Sequence, residues 1–396
     1  MIELPSPVDI GAPVQYLNWR KHQPSAILAI TDSERRFIGS VLPTGAGKTL
    51  TVVAAALISG HRTIALTSTK LLQEQYIKDM AEAGMVDVKG QGNYECLAFG
   101  DEHRGLRDKQ WHGCDDGPCR AGLPCSRKPL PDELHIEKGC LSYDAVARAL
   151  KSRLVVTNYK YWLNANRYGA GLGKFDCLVL DEAHHAPTEL ADFLSTTFDP
   201  VDAQVLGSAG PNDVDSAAWA NWAKGRIGAV ARALESRPQS KAELRKYRQL
   251  KRAAQKLSTL SEMKAGEWVV QLHGESWHFD PVWVRSYSEK HLFCRIPRVV
   301  CTSATFTRKT AEMLGIEDGN LTWHEAPSDF PVARRPVYYV PCVKVDYKAD
   351  ESQIRLWLAT IDNFLRSRRD RKGIIHAVSY ARAKQIHAYS EFSGAM

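Results

Sequence analysis

No stretch constrains this chain more than Pro43-Thr44-Gly45-Ala46-Gly47-Lys48-Thr49. It follows residues 36–42, which read as a short strand, and precedes residues 50–59, whose small side chains read as a helix. Glycines in such a turn let backbone N–H groups approach phosphate oxygens, and the following helix N-terminus adds positive potential. Lys48 can then reach the β and γ phosphates of a nucleotide, and the Thr49 hydroxyl can ligate magnesium. Thr44, Gly45, Ala46 and Gly47 complete the cradle. Leu42 stands where the strict pattern has glycine, so the loop is a variant. The expected fold class is α/β, built on a parallel sheet.

Two more apolar strands, residues 175–180 and 298–302, run into polar residues, Asp181-Glu182-Ala183-His184 and Ser303-Ala304-Thr305. Open parallel sheets gather ligands at the carboxyl ends of their strands, so all three segments are expected to share one sheet. One carboxylate there can hold the nucleotide's magnesium while its neighbour polarises the attacking water, roles that fall to Asp181 and Glu182. His185 reads as a neighbour only.

Five of the nine cysteines, Cys96, Cys114, Cys119, Cys125 and Cys140, fall within 45 residues. The start, MIELPSPVDIGAP, has neither a basic nor an apolar leader region. The longest apolar stretch, residues 52–58, is too short to cross a bilayer. An intracellular, membrane-free location is therefore expected, where thiols stay reduced and such a cluster reads as metal ligation. Cys177, Cys294, Cys301 and Cys342 read as core packing.

Two insertions interrupt the α/β pattern. Residues 91–140 are rich in Cys, Gly and Pro with little periodicity, so a bound group must hold them together. Residues 190–295 look largely helical in their first two thirds. There Ser240 and Glu243 have capping-box spacing at the head of SKAELRKYRQLKRAAQKL. That helix carries Lys241, Arg245, Lys246, Arg248, Lys251, Arg252 and Lys256 against one acid, which suits a solvated face or one turned to a phosphate backbone. The net charge of +7 permits a polyanionic partner. From residue 327 onward, strand-like RPVYYVPCVKV, a helix near 351–366 and strand-like GIIHAVS open a second α/β lobe.

With GAGKT, DEAH and SAT in order and the cysteines between the first two, the chain resembles a superfamily 2 helicase of the iron–sulfur branch, the XPD and DinG group. Arg20 and Gln23 in NWRKHQPSAI resemble the adenine-reading Q element, and LTSTKLLQEQ resembles the DNA-touching motif Ia. NYEC and CLSYDAVARALKSRLVVTNYKYWL resemble the entry to and exit from the cluster domain. SDFPVARRPVYYVP and KGIIHAVSY resemble the linker and motif IV of phage and bacterial members.

The resemblance implies a RecA-like motor lobe from residues 1–90, 141–189 and 296–326. It makes 91–140 an iron–sulfur domain, 190–295 a helical arch and 327–396 an incomplete second lobe. It also implies ATP, Mg2+ and a [4Fe–4S] cluster, and 5′ to 3′ movement on single-stranded DNA or a junction. Ser303 and Thr305 would couple hydrolysis to movement. It favours Cys96 and Cys140 as outer cluster ligands, with two more from Cys114, Cys119 and Cys125. A tetrahedral zinc site is the competing use of these thiols. Tyr159, Tyr161 and Trp162 are candidates for base stacking or for core packing. No arginine-bearing motif VI follows Ser379, so the reading is a truncated or split motor that hydrolyses ATP weakly unless another chain supplies the missing segment. A nucleotide-dependent binding module is the alternative, and a DEAH-type RNA helicase would leave the cysteines without a role.

Overall fold

The computed structural model describes residues 4–100, 102, 113–169, 171–334, 336–346 and 348–395. Residues 101 and 103–112 of the cysteine-rich segment thus lie outside the described residues. The chain divides into two units, residues 1–328 and 329–396.

The first unit is organised by seven parallel strands. They are β1 (Phe37–Val41), β2 (Thr63–Thr67), β3 (Met85–Asp87), β4 (Leu154–Asn158), β5 (Cys177–Asp181), β9 (Arg298–Ser303) and β10 (Leu321–Glu325), in the order β10-β1-β9-β5-β2-β4-β3. Side chains alternate between two apolar layers. Phe37, Ile64, Leu66, Leu178, Leu180 and Val299 face one, while Ile38, Ala65, Val179 and Val300 face the other. Helices α1 (Gln23–Thr31), α2 (Lys48–Ser59) and α3 (Lys70–Met80) cover the second face. After α4 (Leu141–Lys151), α5 (Tyr159–Tyr168) and α6 (Ala186–Leu194) cover the first. Burial on both faces is why the strands read as continuous apolar runs.

Register then fixes the site. Val41 pairs with Ser303 and Asp181 pairs with Thr302. The carboxyl ends of β1, β9 and β5 therefore lie side by side, as the three-segment expectation required.

The 190–295 insertion holds α7 (Pro200–Leu206), α8 (Ser216–Ala233) and α9 (Lys241–Ser261), followed by a hairpin of β7 (Trp268–His273) and β8 (Ser276–Pro281) that pairs with β6 (Thr196–Phe198). Its centre is the fully buried Trp219, packed edge-on against Phe198, Trp222 and Phe279 at 4.8–5.7 Å. Ser240 caps α9 by accepting from the Glu243 N–H, while the Glu243 carboxylate reaches the Gln239 N–H, one residue further out than a strict capping box.

The base of this insertion is tied to the motor by Glu262. Lys290 lies 2.9 Å from its carboxylate, and Arg167 and His291 lie at 3.4 Å. Burial alone would push this carboxyl up, but His291, Lys290 and Arg167 outweigh it and hold the pKa at about 2. Because the folded value is depressed, the stability it contributes is complete above about pH 4.5 and is lost as pH falls toward 2. Glu262→Gln should cost on the order of 2 kcal/mol at pH 7, since it strands the nearly buried Arg167. Urea unfolding at pH 7 and again near pH 3 checks this: the gap between wild type and variant should narrow in acid.

In the second unit, helices Glu351–Arg366 and Tyr380–Tyr389 are joined where Ser390 donates to the buried Asp362 carboxylate and Arg366 meets Glu391. The two strand-like segments near 336–345 and 373–379 form no strand among the described residues, and Val337, Tyr339 and Val378 are exposed. An alternating apolar pattern becomes a strand only when a neighbour takes its N–H and C=O groups, and neither segment has one here. Cys342, expected in a core, is accordingly exposed, and Cys294 is half-buried, whereas Cys177 and Cys301 are buried in β5 and β9.

Candidate nucleotide site and cysteine cavity

The loop leaving β1 turns through Gly45 and Gly47, both left-handed with φ of 83° and 84°. A Cβ on Gly47 would lie 2.4 Å from Gln23 Nε2, so glycine is required there for space as well as conformation. The buried Gln23 amide donates to the Gly47 carbonyl at 3.1 Å and accepts from the Arg20 N–H at 2.8 Å. The Arg20 guanidinium donates to the Gly45 carbonyl. Gln23 and Arg20 thus brace the loop, a use the adenine-reading expectation did not include.

Across the strand ends, Lys48 Nζ lies 3.1 Å from Glu182 Oε1. The other Glu182 oxygen accepts from the Ser303 hydroxyl at 3.0 Å. With its hydroxyl hydrogen directed at Glu182, Ser303 Oγ accepts from the Thr305 N–H at 3.1 Å and from His184 Nδ1 at 2.8 Å. His184 can serve as that donor while neutral. Burial and the adjacent His185 both lower its pKa. Glu182 sits in a left-handed turn (φ 46°, ψ 50°) that brings its N–H onto the Asp181 carboxylate at 3.1 Å. So Lys48, Asp181, Glu182 and Ser303, taken separately from the sequence, meet in one network, and His184, named in the sequence only as the last residue of DEAH, joins it through Ser303.

The two carboxyls are driven apart electrically. Burial, reinforced by Glu182, pushes Asp181 up to about 6. Burial also pushes Glu182 up, but the Lys48 ammonium and the Ser303 hydroxyl outweigh it and hold Glu182 below its usual value. Beside them Tyr76, 1% exposed on α3, faces Thr49 and Asp181. Its only forewarning in the sequence is the i, i+3, i+7 spacing of Gln73, Tyr76 and Met80, the buried face of α3.

All five clustered cysteines line a single cavity, together with Arg120, Arg127 and Lys128. None is in a disulfide. The Cys96 and Cys140 thiols both meet that of Cys114, which lowers Cys96 to about 7 and Cys140 to about 6 while Cys114 holds its proton more tightly. Among the described residues, no group of three or more Cys, His, Asp or Glu is arranged to hold a single metal ion. Short 3-10 turns, such as Leu97–Phe99, Cys114–Asp116 and Pro118–Ala121, are the regular structure around the cavity.

Two of the three aromatic candidates are placed elsewhere. Tyr159 and Trp162 are core residues. The Tyr159 hydroxyl donates to the Asp181 carbonyl at 3.0 Å, and Trp162 Nε1 to the Leu292 carbonyl at 2.7 Å. Tyr161 is half-buried against the same core. The 3.6-residue period turns the Tyr159 and Trp162 rings inward, so neither is open for base stacking. On α9, Arg248 meets Asp116, Lys251 donates to the Arg120 carbonyl at 3.1 Å, and Lys256 pairs with Asp202. Lys241, Lys246 and Arg252 are exposed. No helix among the described residues is long and apolar enough to cross a membrane.

Residues 16–211 match the family model for the type III restriction enzyme, res subunit. No curated protein matches the sequence. Among solved structures, an XPD helicase is similar at 15% identity and a TM-score of 0.50, over 99% of this chain and 75% of that one. The S. tokodaii Xpd4 structure aligns at 14% identity and 0.46, over 93% and 73%, and a truncated XPD at 14% and 0.45, over 78% and 100%. The chain thus matches that family model over residues 16–211 and, along nearly its whole length, has the fold of an XPD helicase.

Proposed function

We propose that this chain is an ATP-dependent superfamily 2 helicase that works on DNA, tracking a single strand 5′ to 3′, with a [4Fe–4S] cluster in its cysteine cavity. The carrying observation is the network that joins Lys48, Glu182 and Ser303 across three adjacent strand ends. In this reading Lys48 exchanges Glu182 for nucleotide phosphates. Thr49 and Asp181 face the magnesium, and Glu182, released from Lys48 but still held by Ser303, orients the attacking water and takes its proton. Movement of Ser303 as β9 shifts would then reposition the base, which couples hydrolysis to the DNA path.

The cavity suits a cluster on its donor set. It gathers five unoxidised thiols where four are needed, in a segment with too little regular structure to hold itself. Arg120 and Lys128 on its wall offset the negative charge of bound thiolates. When bound, such a group supplies electron-transfer capacity and a covalent staple. The chain's own part is to hold the thiols together and to dock them, through Asp116 and Arg120, on α9.

The basic face of α9 offers the test of the polyanion. If Lys241, Lys246 and Arg252 follow the DNA backbone, replacing all three with glutamine should reduce the slope of log affinity against log salt by about two for single strands. Fluorescence-anisotropy titrations at several salt concentrations, with DNA and RNA of the same sequence, measure this. An unchanged slope returns the face to plain solvation, and a preference for RNA overturns the DNA assignment.

A further inference from the structure

Tyr76 is 1% exposed, and its hydroxyl faces both the Thr49 hydroxyl and the Asp181 carboxylate. Yet that hydroxyl completes a hydrogen bond with no group of the protein. A buried, unpaired hydroxyl is costly unless a further group arrives to satisfy it. Its place is specific. It belongs to α3, which Thr69 caps, in the apolar layer that α1 and α2 share.

We propose that Tyr76 is a positioning residue for the magnesium site, fixing the Thr49 hydroxyl and the Asp181 carboxylate in the orientation that receives the cation. The inference rests on the nucleotide reading given above. When the Thr49 oxygen turns a lone pair to a cation, its proton needs an acceptor, and the phenol oxygen of Tyr76 is there to accept it. The phenol proton in turn is available to Asp181, leaving the other carboxylate oxygen free to face the cation. Phenylalanine would fill the same space and do neither.

Tyr76→Phe removes only an atom that the protein leaves unpaired, so it should fold, with an unliganded melting temperature equal to or above that of the wild type. The test follows the melting temperature of both proteins with ADP, over a magnesium series and in EDTA. With the variant, the magnesium concentration for half of the nucleotide-induced shift should rise roughly tenfold, about the worth of one hydrogen bond to a charged group. The response in EDTA should not change. Steady-state ATP turnover at saturating magnesium should show a lower kcat at similar KM.

Identical magnesium midpoints would overturn the inference. So would a variant with a lower unliganded melting temperature and an unchanged midpoint, the mark of a merely structural hydroxyl. If the wild type itself shows no magnesium-dependent response to nucleotide, the nucleotide reading fails first and the inference falls with it.

Discussion

Glu182→Gln is expected to lower ATP turnover by about 10²- to 10⁴-fold while nucleotide affinity stays within a few-fold of wild type. Glutamine keeps the size of the side chain, and its amide oxygen can still accept from Lys48 in the place of Oε1 while its amide N–H donates to the Ser303 oxygen in the place of Oε2. It cannot take a proton from water. The phosphate cradle, built from the Thr44 to Thr49 backbone, is left as it was. Binding of a fluorescent ADP analogue and DNA-stimulated phosphate release, measured on the same preparation, separate the two effects. Turnover within a few-fold of wild type would remove Glu182 from the chemistry. Weakened binding at unchanged turnover would make it a structural partner of Lys48 alone.

Replacing the five clustered cysteines one at a time with serine should have an equally large effect on metal content. After anaerobic purification, wild type should hold about four irons and matching sulfide. Four of the single variants should lose most of both, and the fifth should keep them. Loss of the group should also open residues 91–140 to limited proteolysis, because short 3-10 turns cannot hold that segment together. Zinc at about one per chain with no sulfide would replace the cluster by a tetrahedral site. A metal-free, stable wild type would make the cavity a set of plain buried thiols.

The site was legible where chemistry is local. A glycine turn between strand and helix, and acids directly after an apolar strand, state their geometry within a few residues. Gly47, Lys48, Asp181 and Ser303 therefore lie where the sequence put them. Pairings over long separations were hidden. Nothing near Arg248 or Lys251 announces Asp116 or the Arg120 carbonyl about 130 residues earlier, so a helix that reads as seven free charges keeps only part of them for solvent. Aromatic identity is equally mute. Tyr159 and Trp162 suit a stacked base or a core, and only the packing of α5 against the sheet decides it. The strand-like segments of the second unit carry the right alternation, but a strand also depends on its neighbour, which no local pattern records.

The position of β1 has a consequence for synthesis. Its two neighbours are β9 and β10, residues 298–325, although β1 itself ends at Val41. At about 5–20 residues per second, the strand bearing the phosphate loop leaves the ribosome roughly a quarter of a minute or more before either partner exists. Both its edges stay open for that time, while the cysteine segment and the helical insertion can each form between them. The nucleotide site is thus begun first and closed last, so its sheet cannot be completed on a nascent chain before the cysteine segment has been made.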